Sequence, residues 1–182
     1  MSRNQTGTES VPDISQLEVL INKLQLRNRV EELGREISRD YENRELHLVG
    51  VLKGGFIFLA DLARELKVAC QIHFLQASSY QNRKTSSGVV KFSHALRLKG
   101  KHVLVVEDIF DTGLTLHRVV GDLQSQKPAS LEVCTLLNKK IPKKAPVRVK
   151  YTGFEIKNQF VIGYGLDYAE RYREIPEVIC LD

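Results

Sequence analysis

VVEDIFDTGLTL, residues 105–116, sets two adjacent carboxylates, Glu107 and Asp108, at the end of an apolar run that starts at Val103. A third acid, Asp111, stands directly before a Thr-Gly turn. The apolar run reads as a buried strand over 102–106, and Leu116, Val119, Val120 and Leu123 share one face of a helix that follows. Strand, polar turn and helix form the unit of an α/β fold, where ligands bind beyond the carboxyl ends of strands. Surface acids capping the helix are the plain alternative. An ordinary cap uses one acid, however, and Glu107 and Asp108 stand too early for that helix.

The same unit repeats outward from this stretch. Leu26, Val30, Leu33 and Ile37 give residues 14–40 a helical face. His47 to Leu52 reads as a buried strand closed by Lys53-Gly54-Gly55, and Phe56, Leu59, Ala60, Ala63 and Leu66 then make a helical stripe. Further strands are expected at Ile72–Leu75, Val89–Phe92, Val133–Leu137 and Phe160–Ile162, with a polar, flexible stretch, SSYQNRKTSSG, at 78–88. This alternation predicts an α/β fold with a mostly parallel sheet and helices on its faces. No sequence repeat interrupts it. Residues 1–13 are expected to be a disordered segment, and 14–182 a single domain.

The composition bounds the function without fixing it. With 182 residues, 42% of them hydrophobic, the chain is long enough for one real core and has no apolar run of membrane-spanning length. Its first ten residues lack the apolar centre of a signal peptide, and Cys70, Cys134 and Cys180 lie among apolar residues with no zinc-site spacing. Reduced thiols in a cytoplasmic protein are therefore expected. The net charge of +5 suits a nucleic acid, a small phosphorylated ligand, or a basic surface with no partner at all. Segment 139–150, KKIPKKAPVRVK, holds six basic residues, no acid and two prolines, and reads as a solvated loop or edge.

A Thr-Gly turn opening a helix presents backbone N–H groups and hydroxyls to an anion, so Thr112, Gly113 and Thr115 resemble a phosphate cradle. Three carboxylates beside a phosphate repel it unless something lies between. Sugar hydroxyls, which donate to carboxylates, do this well, and a divalent cation does it better. The chemistry points to a phosphorylated ribose with a metal ion. No G-x-G-x-x-G follows the first strand, which argues against a dinucleotide-binding protein.

VVEDIFDTGLTL resembles the phosphoribosyl-pyrophosphate motif of type I phosphoribosyltransferases, and more narrowly that of the hypoxanthine-guanine phosphoribosyltransferase family. LKGG at 52–55, SSY at 78–80, Lys139 after Leu136-Leu137, and FVIGYGLDYAERYR at 160–173 extend the likeness from about residue 46 to the end. The resemblance implies a mostly parallel central sheet with a small hood formed from the N- and C-terminal segments. It implies transfer of phosphoribosyl from phosphoribosyl pyrophosphate to N9 of hypoxanthine or guanine, giving IMP or GMP and pyrophosphate. Asp111 would act at N7 of the purine as general acid/base, where an acid favours a 6-oxopurine. Lys139 would reach the 6-carbonyl, although it is otherwise one more lysine in a basic loop. Phe160 would stack on the base and the Val161 backbone would read its edge, although an aromatic in an apolar strand is often simply core.

The donor, by the same likeness, would be held by Lys53, Gly54, Glu107, Asp108, Thr112, Gly113, Leu114, Thr115 and Arg173. Ser79 and Tyr80 would belong to a loop that closes over the site. Mg2+ would be held by Glu107, Asp108 and Asp167, and a non-proline cis bond is expected around Lys53-Gly54. A homo-oligomer, dimer or tetramer, is expected, with no nucleic acid and no membrane. The alternative is a nucleic-acid-binding regulator that keeps the fold and uses the donor as an effector. Three features depart from the family pattern: bulky Phe110 between the acids, basic Asn82-Arg83-Lys84, and no long C-terminal strand after Arg173. His47, His73, His94, His102 and His117 show no ligand spacing and are given no catalytic role.

Overall fold

Alternation along the central strands explains the layering. In the computed structural model, which describes residues 17–76, 91–92 and 96–181, Leu46, Leu48, Leu104, Val106, Cys134 and Leu136 point to one side of a sheet. Val49, Val51, Val103, Val105 and Val133 point to the other. These side chains come from β2 (Leu46–Leu52), β5 (His102–Phe110) and β6 (Ser130–Lys139), each with both faces covered. Strands buried on both faces are near-continuous in apolar residues, and that is how they read in the sequence.

The other elements are β1 (Val19–Ile21), α1 (Lys23–Asp40), α2 (Phe56–Glu65), β3 (Cys70–Gln76), β4 (Lys91–Phe92), α3 (Leu114–Ser125), β7 (Tyr151–Ile156), β8 (Val161–Ile162) and β9 (Val178–Cys180). Sheet order is β4-β3-β2-β5-β6-β7, with β4 alone antiparallel to its neighbour. Helices α1 and α2 bury their apolar faces on one side and α3 on the other. A separate antiparallel sheet, β1-β9-β8, joins the two ends of the described chain into the hood. Among the described residues no helix is long and apolar enough to cross a membrane.

Several sequence expectations need correction. The helix expected within 14–40 starts only at Lys23, because Asn22 caps it: its side chain accepts from the Gln25 N–H while the Gln25 side chain accepts from the Asn22 N–H, both at 2.9 Å. The preceding Val19–Ile21 pairs with β9 instead, so a C-terminal strand is present, though only three residues long. Strand β5 runs to Phe110, four residues beyond the expected end, and Glu107 and Asp108 therefore lie within it. β7 follows the basic segment and had no counterpart in the sequence reading; its exposed edge is covered when Arg29 donates to the carbonyls of Thr152 and Gly153 at 2.8 and 2.9 Å.

The basic segment itself is not simply solvated. Ala145 is buried and Val147 and Val149 pack on the α3-side core, with exposed Lys144, Pro146, Arg148 and Lys150 between them. It is an extended strap whose alternation hides beneath its charge. Expectations for 1–13, Ser79, Tyr80, 82–84 and His94 fall outside the described residues.

Candidate active site

The two acids of the opening stretch stand where the strand alternation changes phase. Val106 faces the α1–α2 core and so does Ile109, while Phe110 has turned to the α3 side. Neighbouring β6 does the same, with Leu136 and Leu137 both in the first core. Between these phases Glu107 and Asp108 are claimed by neither core, yet each is only 8% exposed. Burial pushes the Glu107 carboxyl well above the usual carboxylate range, and the Asp108 charge beside it pushes further. Burial also raises Asp108, opposed by the Glu107 side chain, the Ile109 N–H that its Oδ1 accepts at 2.8 Å, and the Arg173 charge.

The loop after β2 meets these acids directly. A methyl group on Gly54 would land on Asp108 Oδ2, so only glycine fits there. A non-proline cis bond lies at Leu52–Lys53, in the loop where the family resemblance implied one. Arg173 donates to the Gly165 carbonyl at 2.8 Å and pairs with Asp167 at 3.0 Å. A Cβ on Gly165 would strike the Gly54 carbonyl, which places the 163–173 turn against the Lys53-Gly54 loop. That turn holds Gly163, Tyr164, Gly165, Ala169, Glu170 and Tyr172 at positive φ. Such backbone is uncommon outside glycine and persists only where its surroundings hold it. Tyr164 shows how: its ring is 7% exposed and its hydroxyl donates to Asp61 at 2.6 Å.

The base end lies at the carboxyl ends of β5 and β6. Lys139 Nζ stands 3.4 Å from Asp111 Oδ2, with the lysine side chain 11% exposed and the aspartate 45%. Gly113, at φ 87°, begins α3, and Leu114 and Thr115 beyond it are exposed. Phe110 is buried and packs near Gly113, the tighter packing its bulk suggested. Phe160 is 46% exposed and lies just outside β8, with Tyr168 meeting it edge-on at 6.1 Å, while Val161 is buried within that strand.

Thus the fold gathers Lys53, Gly54, Glu107, Asp108, Asp167 and Arg173, and sets Asp111 beside Lys139 at the ends of β5 and β6. Two polar residues of this region escaped the sequence reading. Glu170 pairs with Lys53 at 2.7 Å and with Arg173 at 3.4 Å. Lys143 donates to the carbonyls of Phe110 and Lys139. Glu170 lay inside a quoted motif, while Lys143 was one cation among six in the basic segment.

Residues 18–169 match the phosphoribosyl transferase domain family. The chain belongs to that family. Its sequence is 45% identical over 165 residues to a hypoxanthine-guanine phosphoribosyltransferase of Dictyostelium discoideum, covering 87% of this chain and 92% of the relative. It is 43% identical over 173 residues to a hypoxanthine phosphoribosyltransferase of Salmonella typhimurium, covering 91% and 97%. The crystal structure of a hypoxanthine-guanine phosphoribosyltransferase from Bacillus anthracis superposes with a TM-score of 0.83 at 42% identity, over 91% of this chain and 98% of that one. A Staphylococcus aureus hypoxanthine phosphoribosyltransferase superposes at 0.84 with 40% identity, over 91% of each chain. The chain is therefore a phosphoribosyltransferase enzyme of the type I fold. Lys139 and Lys143 turn inward from the basic segment, while Lys140, Lys144, Arg148 and Lys150 stay exposed.

Proposed function

We propose that this phosphoribosyltransferase makes IMP or GMP from hypoxanthine or guanine and phosphoribosyl pyrophosphate, releasing pyrophosphate. The observation that carries the reading is the Lys139–Asp111 pair at 3.4 Å. An ammonium only donates, so it suits the 6-carbonyl of the purine, and a carboxyl beside it suits N7. An amino group at position 6 would meet a second donor. The relatives named for hypoxanthine and guanine chemistry support the same choice.

In this reading Asp111 holds or delivers the proton at N7 as the bond to N9 forms. Glu107 and Asp108 accept hydrogen bonds from the ribose hydroxyls, and their charge stabilises the cationic sugar of the transition state. Thr112 to Thr115, with backbone N–H groups at the start of α3, take the 5-phosphate. Lys53, Gly54 and Arg173 take the pyrophosphate, Phe160 stacks on the base, and the Val161 backbone reads its edge. Ser79 and Tyr80 belong to the loop that would exclude water. Glu170 pairs with both Lys53 and Arg173, as a placeholder that pyrophosphate would displace.

The donor set fits magnesium. Glu107 and Asp108 are buried side by side, and among the described residues no cation pairs with Glu107. Among the described residues no three metal-ligating side chains stand together, so water and substrate phosphates would have to complete the shell of the ion. Glu107, Asp108 and Asp167 would hold it, and when bound it would neutralise charge developing on the leaving pyrophosphate. A homo-oligomer belongs to this reading, since Phe56, Ile72 and Phe74 on α2 and β3 are 41%, 47% and 37% exposed. Cys70 and Cys134 are thiols, as suits a reducing compartment such as the cytoplasm.

The test is product formation from hypoxanthine, guanine, xanthine and adenine with phosphoribosyl pyrophosphate, with magnesium and after exhaustive chelation. Turnover of hypoxanthine and guanine, little of adenine, and loss of activity on chelation are expected. A comparable rate with adenine would overturn the base assignment, and full activity without divalent metal would overturn the metal assignment.

A further inference from the structure

The β5–β6 ladder ends one residue short of the pair that selects the base. Its last rung joins Phe110 to Asn138. Asp111 and Lys139 come next, one rung beyond the last paired residues. The two side chains already meet at 3.4 Å, and a purine that offers O6 to one and N7 to the other needs the strand ends beneath them held in a fixed relation.

Lys143 stands where that rung would be. Its ammonium donates to the Phe110 carbonyl at 2.9 Å and to the Lys139 carbonyl at 2.6 Å. These carbonyls belong to the peptide units that follow Phe110 and Lys139, so one side chain bridges the two strand ends. The same nitrogen lies 4.3 Å from the centre of the Phe110 ring, which completes its shell. Hydrogen bonds from an ionised donor are the stronger kind, and here two of them span the strand ends. We propose that Lys143 is a positioning residue that fixes the spacing of Asp111 and Lys139 and so sets affinity for the 6-oxopurine. The inference rests on the reading of those two residues as the base selector.

The wider strap does not depend on this ammonium. The backbone N–H groups of Lys144 and Ala145 donate to the Thr112 carbonyl at 2.9 and 3.4 Å, and the Lys140 N–H donates to Ile156 at 2.8 Å. Removing the charge at 143 should therefore leave the strap seated on the phosphate turn while the base end loses its spacer. Burial holds the Lys143 ammonium below its ordinary value, with Lys139 acting in the same direction and Asp111 opposing. The fit of the base end should thus weaken at a more acidic pH than a solvent-exposed lysine would give.

Lys143→Met and Lys143→Arg test this. With both variants checked for native far-UV dichroism, initial rates are measured against hypoxanthine at saturating donor and against donor at saturating hypoxanthine. In Lys143→Met the KM for hypoxanthine should rise by about tenfold or more, the size usual for a displaced binding group, while the KM for donor stays nearly unchanged. Arginine, which keeps the charge and can fork to both carbonyls, should recover most of the loss. Equal rises in both KM values, or an unchanged KM for hypoxanthine beside a lowered Tm, would show a merely structural strap. If the wild-type chain turns over neither 6-oxopurine, the functional reading fails and this inference with it; turnover by wild type with an unchanged base KM in Lys143→Met defeats this inference alone.

Discussion

Asp111 and Lys139 lie 28 residues apart in the chain and 3.4 Å apart in space, because β5 and β6 are adjacent parallel strands that end together. Asparagine at 111 keeps the size and one acceptor, so the turn should fold as before, but it carries no proton to N7. Asp111→Asn should cut kcat by about 10²-fold or more and leave donor affinity nearly intact; a change confined to donor affinity would mean that Asp111 only shapes the turn. Lys139→Gln should weaken discrimination against adenine more than donor binding, since glutamine both donates and accepts. Competition between hypoxanthine and adenine reads this, and preserved selectivity with lost donor affinity would return Lys139 to the basic strap. Asp111 was legible because it stands inside a motif whose resemblance to a known family gave it a role. Lys143 was not, because nothing in the sequence separates a lysine aimed at two carbonyls from five neighbouring cations.

β5 is built with a contradiction: a strand buried on both faces that ends in two buried acids. The phase change between Val106 and Phe110 leaves Glu107 and Asp108 beside both cores, and water is largely excluded from each. With its carboxyl held above the usual range, folded Glu107 contributes stability in its protonated form, and that contribution is lost as pH rises through its folded value. Glu107→Gln should therefore stabilise the empty protein near neutral pH by about 1 kcal/mol, raising Tm by about 2–4 °C, while activity falls because a ribose contact is lost. Thermal unfolding with an activity assay checks both, and a lowered Tm would show the ionised pair to be structurally required. The turn at 163–173 has the same character, with six residues at positive φ held by Asp61, Gly54 and the hood. Glu170→Gln should release Lys53 and Arg173 from their placeholder and lower the KM for donor; an unchanged or higher KM would make Glu170 part of the binding surface instead.

At the opposite ends of the central strands, β2 and β3 carry a further polar pair, His47 buried and His73 half-buried. His47 Nδ1 lies 3.0 Å from His73 Nε2, with the rings within 3° of parallel and their centroids 5.2 Å apart. That separation leaves room only for an edge-to-edge hydrogen bond, not for rings stacked face to face. Glu45 lies 3.6 Å from His47 Nε2, with Lys101 3.6 Å from the same carboxylate oxygen. Burial lowers both histidines below their ordinary value, with Glu45 opposing at His47 and the His47 ring adding at His73. The unfolded chain therefore takes up protons that the folded chain refuses. Stability should be full above the unfolded value of about 6.5 and fall as pH drops below it. Tm measured at descending pH should show this, and His47→Leu with His73→Leu should flatten the slope; an identical acid profile in the double variant would place the sensitivity elsewhere.

Local pattern determined the α/β class, the central strands and the three helices, because period-two and period-3.6 burial are written in neighbouring residues; the carboxylate–Thr-Gly constellation pointed to a phosphorylated sugar, and its resemblance to a known family made it a donor motif. What lay outside that reach depended on distant partners. Val19–Ile21 is a strand only because Val178 and Ile179 return to pair with it. The 145–149 strap is seated only because Thr112 and the α3-side core receive it. The Lys143 bridge and the Glu170 placeholder likewise exist only where separate segments converge. Three-residue strands and single ammonium groups carry too little local energy to declare themselves, so their roles are set by the surface that the larger elements have already built.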